Sequence, residues 1–220
     1  MLKKLIPFFF PWKIRRILLQ RLFGYNIHPD AKIGLAWIYP EKLTMEEGAR
    51  IDHFTIAIHL AEITMGAHSY IGRGNWITGF PLQKDSRHFS HQIDRKPELK
   101  IEKHSAITKN HHIDCTDSIQ IGSYVTIAGY HSQLLTHSID IYSCRQDSAP
   151  IRIGDYCFIG TNVTILGGAN LPACSVLGAK SLLNKNFEET HTLYAGVPAK
   201  PKGEFPKNTA YFNRKDGFIY

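Results

Sequence analysis

Residues 153–183 read IGDYCFIGTNVTILGGANLPACSVLGAKSLL, and within them Ile153, Ile159, Ile165, Leu171, Leu177 and Leu183 stand at unbroken six-residue spacing. A helix repeats about every 3.6 residues and a strand about every 2, so this period needs a short strand plus a turn that re-aims the chain each time. The chain therefore coils. Small residues follow several of the aliphatic ones, as in Ile153-Gly154, Ile159-Gly160 and Leu177-Gly178, where a corner leaves little room for a side chain. The pattern predicts a mainly β architecture, a parallel β-helix.

The period recurs upstream. Ile101, Ile107, Ile113 and Ile119 keep it, and after a two-residue slip Ile121, Ile127, the polar Gln133 and Ile139 resume it. Weaker matches run from Ile27 and Ile33 through Met45 and Ile51 to Met65, Ile71 and Ile77. A β-sandwich would show turn signals about every 8 to 12 residues instead. If three hexapeptides make a triangular turn, the periodic segments provide about six or seven turns of one repeat domain. That domain is expected over residues 27–200, with a capping segment at 1–26, a second cap beginning near 186, and a tail at 201–220. The period is lost at 78–98 and again at 140–150, which predicts two loops leaving the coil wall.

The chain of 220 residues carries a formal charge of +7 and a pI near 9.2, which favours anionic partners. Its Lys and Arg residues are spread along the sequence without a nucleic-acid motif, so phosphorylated cofactors or anionic membrane surfaces fit better than nucleic acid. Cys115, Cys144, Cys157 and Cys174 are irregularly spaced with no CxxC. Neither a zinc site nor a disulfide framework is legible, and a reducing, cytoplasmic compartment is the simpler expectation.

Met1 to Trp12 holds an apolar run too short to span a bilayer and without the cleavage site of a signal peptide. From Pro11 onward Ile14, Ile17, Leu18 and Leu22 recur at helical spacing, with Lys13, Arg16, Gln20 and Arg21 largely elsewhere and Gly24 at the expected end. This predicts an amphipathic helix. Its apolar stripe either caps the open first coil or, with Phe8, Phe9, Phe10, Trp12 and the basic residues, holds residues 1–23 against the inner face of a membrane.

The stretch Ile107–Ile139 lies between the two breaks and is the expected floor of a cleft. It contains Asn110, His111, His112, Asp114, Asp117, His131 and His137. His137 sits where the second break begins, and a neutral imidazole can accept a proton from a hydroxyl. No GxSxG elbow, no Cys–His motif and no Gly-rich nucleotide loop accompanies it. A scaffold with a base and no nucleophile of its own suits direct group transfer from a cofactor to a substrate hydroxyl.

The run Ile153–Pro201, closing on Ala195-Gly196-Val197-Pro198-Ala199-Lys200, resembles the C-terminal coils of hexapeptide-repeat acyltransferases, especially sugar and polysaccharide O-acetyltransferases. The resemblance covers roughly residues 27–200. It implies a left-handed β-helix, a homotrimer, and acetyl-CoA meeting a sugar or glycan acceptor between subunits, without a metal. The resemblance assigns His137 as general base, Asn110 as a residue holding the acceptor or the polarised intermediate, and the Thr161 N–H as donor to the thioester oxygen. It places Gly160, Thr161, Gly178, Ala179, Lys180, Lys185 and Lys200 along the cofactor. Phe158 stands where relatives often have Trp and is expected at the acceptor. The first loop, with His88 and His91, is expected to contribute to acceptor selectivity. The implied function is acetyl transfer to a sugar hydroxyl in surface-polysaccharide synthesis. Two alternatives stay open: a zinc enzyme resembling the γ-class carbonic anhydrases, with ligands among His112, His131 and His137, and a non-catalytic β-helical assembly subunit.

Overall fold

The computed structural model describes residues 2–82 and 86–219, so residues 83–85 of the expected first loop, and the two chain ends, lie outside the described residues. The chain winds as a left-handed parallel β-helix. Each of seven coils gives one short strand to each of three sheets. The fourth coil, for example, contributes Glu98–Ile101 to the first sheet, Ala106–Ile107 to the second and His112–Asp114 to the third. The fifth contributes Ile119–Ile121, Thr126–Ile127 and Gln133–Leu135. The sixth contributes Ile151–Ile153, Phe158–Ile159 and Thr164–Leu166.

The hexapeptide residues stack in register on their counterparts one coil away. Met65, Ile101, Ile121 and Ile153 form one such column, and Ile71, Ile107, Ile127 and Ile159 another. All eight are almost wholly buried, and such columns fill the triangular core. The corners are tight because neighbouring coils touch through backbone: a Cβ added at Gly72 would stand 2.1 Å from the Thr108 carbonyl oxygen. Non-glycine corner residues such as His104, Tyr124 and Tyr156 take φ values near +57° (58°, 57° and 57°), and their rings stack as a ladder.

The two-residue slip at Ile119–Ile121 has a simple origin. Both side chains belong to one strand and point inward, with Gln120 between them pointing out. Gln133 and Ile139 do not continue the core. Leu134 takes the inward place in the third sheet, one residue later than the six-residue count, because the preceding corner holds an extra residue at Gly129–His131. Ile139 stands 56% exposed on a hairpin of His137–Asp140 with Arg145–Ser148, so the second break starts at His137, not at 140.

Helix Trp12–Phe23 crosses the open end of the first coil. It does so through Trp12, Arg15 and Leu19, none of which belongs to the apolar stripe legible in the sequence. Trp12 Nε1 donates to the Ala31 carbonyl at 3.0 Å, the Arg15 guanidinium donates to Gly34 and Ala36 carbonyls at 2.6 and 2.8 Å, and Leu19 is buried. Ile14 and Ile17 face away from the coil, which corrects the expectation that they cap it, while Leu18 is half-buried and Leu22 falls on the Arg15 side of the helix. The first coil exposes unpaired backbone carbonyls, and an arginine and an indole satisfy them where aliphatic side chains could not.

At the far end Thr192–Gly196 joins the second sheet and Ala199–Glu204 pairs back on it antiparallel. The tail then returns along that sheet. Tyr211 packs edge-on against Phe158 at 5.8 Å, and Arg214 lies 3.9 Å from the Tyr211 ring centre and over Tyr124 and Tyr156.

Candidate active site

Both interruptions leave the coil at the same corner, between the third and first sheets. The first loop departs after Trp76–Thr78, and the hairpin departs after Gln133–Leu135. They fold onto each other. Gln92 Nε2 donates to Asp147 Oδ1 at 2.8 Å and to the Ser148 carbonyl at 2.9 Å, and the Ser148 hydroxyl donates to Gln92 Oε1 at 2.7 Å. An open cleft of about 610 Å³ lies between them, lined by Arg87, His88, Phe89 and His91 of the loop and by Ile139, Arg145 and Gln146 of the hairpin.

Arg95 clamps the loop to the wall. Its buried guanidinium donates to the carbonyls of Phe80 and Thr116, both at 2.6 Å, and of Pro81 at 3.1 Å, and it stacks over Phe89 at 4.5 Å. Burial lowers its pKa from the ordinary arginine value, partly offset by the Asp117 and Asp114 carboxylates. Phe89, thus held, meets the His137 ring edge-on at 5.5 Å.

His137 opens the hairpin beside this aromatic contact. Its Nδ1 lies 3.8 Å from Asp114 Oδ2, and its Nε2 donates to Gln146 Oε1. Asp114 is itself oriented: Oδ1 accepts from the Thr116 N–H at 2.9 Å and the Thr116 hydroxyl at 2.7 Å. Once Gln146 Oε1 is displaced, the carboxylate on the Nδ1 side favours the tautomer with the proton at Nδ1, leaving the Nε2 lone pair for a proton in flight. Asp114 stands in register with Leu135, two residues before His137, so the parallel pairing of successive coils brings acid and imidazole together.

The other residues assigned from the resemblance lie at the opposite edge of the third sheet. Asn110 occupies the second-to-third corner with φ 55°, and its side-chain oxygen lies over Gly74, where a Cβ would come within 2.3 Å. Thr161 occupies the same corner two coils on. Its hydroxyl donates to the Tyr130 carbonyl at 3.1 Å, and its own N–H has no backbone acceptor among the described residues. Lys180 follows at φ 58°, exposed beside Ala179. A strand rises about 3.3 Å per residue, so this corner lies on the order of 13 Å from Asp114 within one protomer. His137 does not meet Asn110 or Thr161 in the chain.

No protein-family model and no curated protein matches the chain. Solved structures do. A polysialic acid O-acetyltransferase superposes with a TM-score of 0.58 at 17% identity, over 82% of this chain and 84% of that one. An N-acyltransferase from Bacillus cereus, solved as a point mutant with dTDP and coenzyme A, superposes with 0.56 at 13% identity, over 89% and 92%. A hexapeptide-repeat acetyltransferase from Vibrio cholerae aligns over 93% of this chain and 87% of its own, at 21% identity and a TM-score of 0.49. The fold is that of the hexapeptide-repeat acyltransferases.

Within this hexapeptide-repeat fold several residues stand elsewhere than expected. Phe158, expected at the acceptor, lies on the outer face of the second sheet, half-buried and with Tyr211 of the tail edge-on against it at 5.8 Å. Lys185 lies beyond the third sheet with Nζ 5.2 Å from the Phe187 ring centre, and Lys200 lies on the terminal antiparallel pair, so the two lysines flank different faces of the last coil. Gly160 and Gly178 serve the corners: an added Cβ would stand 2.6 Å from the Ala179 nitrogen and 2.9 Å from the Ala195 Cβ, respectively. His111 belongs to the interior and not to a cleft floor. It accepts from the Ser132 N–H at Nδ1, 3.1 Å away, leaving Nε2 to donate to Thr108 Oγ1 at 3.0 Å, and burial pushes its pKa down to about 4, with His131 adding like-charge repulsion. His131 packs edge-on to Tyr130 at the Asn110 corner, across the third sheet from His137, and no cluster of three candidate metal ligands forms among the described residues.

Asp114 carries no assigned role in the hexapeptide pattern, and Gln146 and Arg95 lie outside it. A signal for Asp114 was present in the coil register, which pairs its strand with the one leading into His137. The partners in the loop and hairpin carried none, because their contacts arise between segments outside the repeat.

Proposed function

We propose that the protein transfers an acetyl group from acetyl-CoA to a sugar hydroxyl, with His137 as general base. The observation that carries this reading is the Asp114–His137 pair, an oriented carboxylate on the Nδ1 side of an imidazole that touches Phe89 and Gln146 of the cleft wall. An acceptor hydroxyl takes the place of the Gln146 amide at His137 Nε2. Its proton passes to the imidazole as its oxygen bonds to the thioester carbonyl carbon, and Asp114 stabilises the imidazolium. Collapse of the tetrahedral species expels the thiolate of coenzyme A, which takes the proton from His137. The carbonyl oxygen, negative in the tetrahedral species, needs fixed N–H donors, and the unoccupied N–H of Thr161 is suited to that task.

His137 and Thr161 lie at opposite edges of one sheet, so a single protomer holds two half-sites. A homotrimer in which the His137 edge of one protomer faces the Asn110–Thr161–Lys180 edge of the next unites them. The likeness of the fold to a polysialic acid O-acetyltransferase and to an N-acyltransferase solved with coenzyme A supports the donor and a glycan acceptor. His88, Arg87 and Arg145 at the open cleft suit a polar, extended acceptor such as a surface polysaccharide or its precursor. Incubation with labelled acetyl-CoA and a panel of glycans, followed by mass mapping, tests the reading. Formation of an acetyl ester by the wild type and not by His137→Ala supports it, and absence of transfer to every glycan with intact coenzyme A overturns it.

A further inference from the structure

We propose that the outer face of the N-terminal helix docks on an anionic lipid bilayer, with the helix lying in the interfacial plane. The helix is held from its inner side by Trp12, Arg15 and Leu19, and Phe23 packs on Tyr25 and Tyr39 with ring centres 5.6 and 5.2 Å apart. The preceding turn is pinned as well: Pro7 is buried, and Phe8 lies against Trp37 and under the Arg15 guanidinium. What faces outward is therefore fixed. Phe9 is 81% exposed, and Phe10, Ile14 and Ile17 are between 43% and 47% exposed, with both isoleucines on the side of the helix away from Arg15 and Leu19.

The capping task does not explain that face, since other residues carry it. Four large apolar side chains left to water on one short segment form the kind of patch that marks a contact surface. Lys3, Lys13 and Arg21 are exposed on the same segment, and no Asp or Glu occurs before Asp30. Apolar side chains beside uncompensated cations match acyl chains beneath anionic headgroups. A second copy of the chain fits poorly, because a two-fold contact through this patch would set Lys13 and Arg21 against their own counterparts. The helix has 12 residues and no described helix is long and apolar enough to cross a membrane, so the geometry is that of a helix on the surface.

The proposal does not depend on the catalytic reading, because its test reads partition and not turnover. Full-length protein is sedimented with vesicles of phosphatidylcholine alone or with phosphatidylglycerol added, at low and high salt. The expected result is binding to the anionic vesicles that weakens as salt rises. The triple substitution Phe9→Glu, Ile14→Glu, Ile17→Glu should abolish it, and Lys13→Gln with Arg21→Gln should lower partition by about 25-fold, at roughly fivefold per cation. Both variants should melt like the wild type, since none of these side chains packs on the coil. Absence of anionic-vesicle binding, binding unchanged in the triple variant, or a loss of oligomer size in that variant that marks a protein partner on this face would overturn the proposal.

Discussion

Asp114 Oδ2 stands 3.8 Å from His137 Nδ1, one coil below it, with Thr116 holding the other carboxylate oxygen through two hydrogen bonds. The imidazole is thus held on three sides, by Asp114, by the Gln146 amide and by the edge of Phe89. If this pair performs base catalysis, His137→Ala should lose roughly 10²- to 10⁴-fold in kcat while oligomer size and coenzyme A affinity stay unchanged. Asp114→Asn should lose about 10²-fold in kcat with little change in the KM for acetyl-CoA, because the amide can no longer stabilise the imidazolium. Steady-state kinetics of both variants check this, and unaltered turnover in His137→Ala would exclude the histidine.

Arg95 is a buried cation with no carboxylate in contact among the described residues; its terminal nitrogens donate to three carbonyls and its plane lies over two rings, while Nε is buried without a hydrogen-bond partner. Arg95→Ala leaves the carbonyls of Phe80, Pro81 and Thr116 without their donor and Phe89 without its support. A loss on the order of 3 kcal/mol of stability is expected. Denaturant unfolding measures it, and limited proteolysis should cut the first loop faster than in the wild type.

His111 should make the fold acid-sensitive. Its folded pKa, about 4, lies below its ordinary 6.5, so the unfolded chain takes up a proton that the folded chain refuses. The stability linked to this group is complete above pH 6.5 and falls as pH drops toward 4, by on the order of 3 kcal/mol. Unfolding free energies measured across that window should decline more steeply in the wild type than in His111→Gln, and equal slopes would assign the decline to other groups.

Gly160 lies where the Ala179 nitrogen leaves 2.6 Å for a Cβ. Gly160→Ala must push two coils apart and should cost about 1–3 kcal/mol. A lower Tm without bound coenzyme A would show that the glycine serves the corner first, and an unchanged Tm would show that the coils can yield.

The coiled architecture was legible from Ile153 to Leu183 because each hexapeptide places one aliphatic side chain inward and one corner outward, a local rule repeated until it becomes a fold. The same rule misled at Gln133, where one extra corner residue shifts the register, and at Ile139, where the chain has left the coil for the hairpin; a count in steps of six sees neither. His137 was legible as a candidate because it stands where the repeat stops. The helix at Trp12–Phe23 was legible as a helix, yet its seat was not, since hydrophobic spacing says which side chains share a stripe and not whether open carbonyls will claim Arg15 and Trp12 first.

The sequence alone therefore determined the period, the two breaks in it and the imidazole at the second break, all set by residues near one another along the chain. Only the tertiary structure decided that Asp114 lies behind that imidazole, that Arg95 and Phe89 brace it, and that Asn110 and Thr161 stand at the far edge of the same sheet. Those relations depend on how one coil seats on the next and how two loops meet outside the repeat, contacts between distant residues for which no local spacing carries a signal.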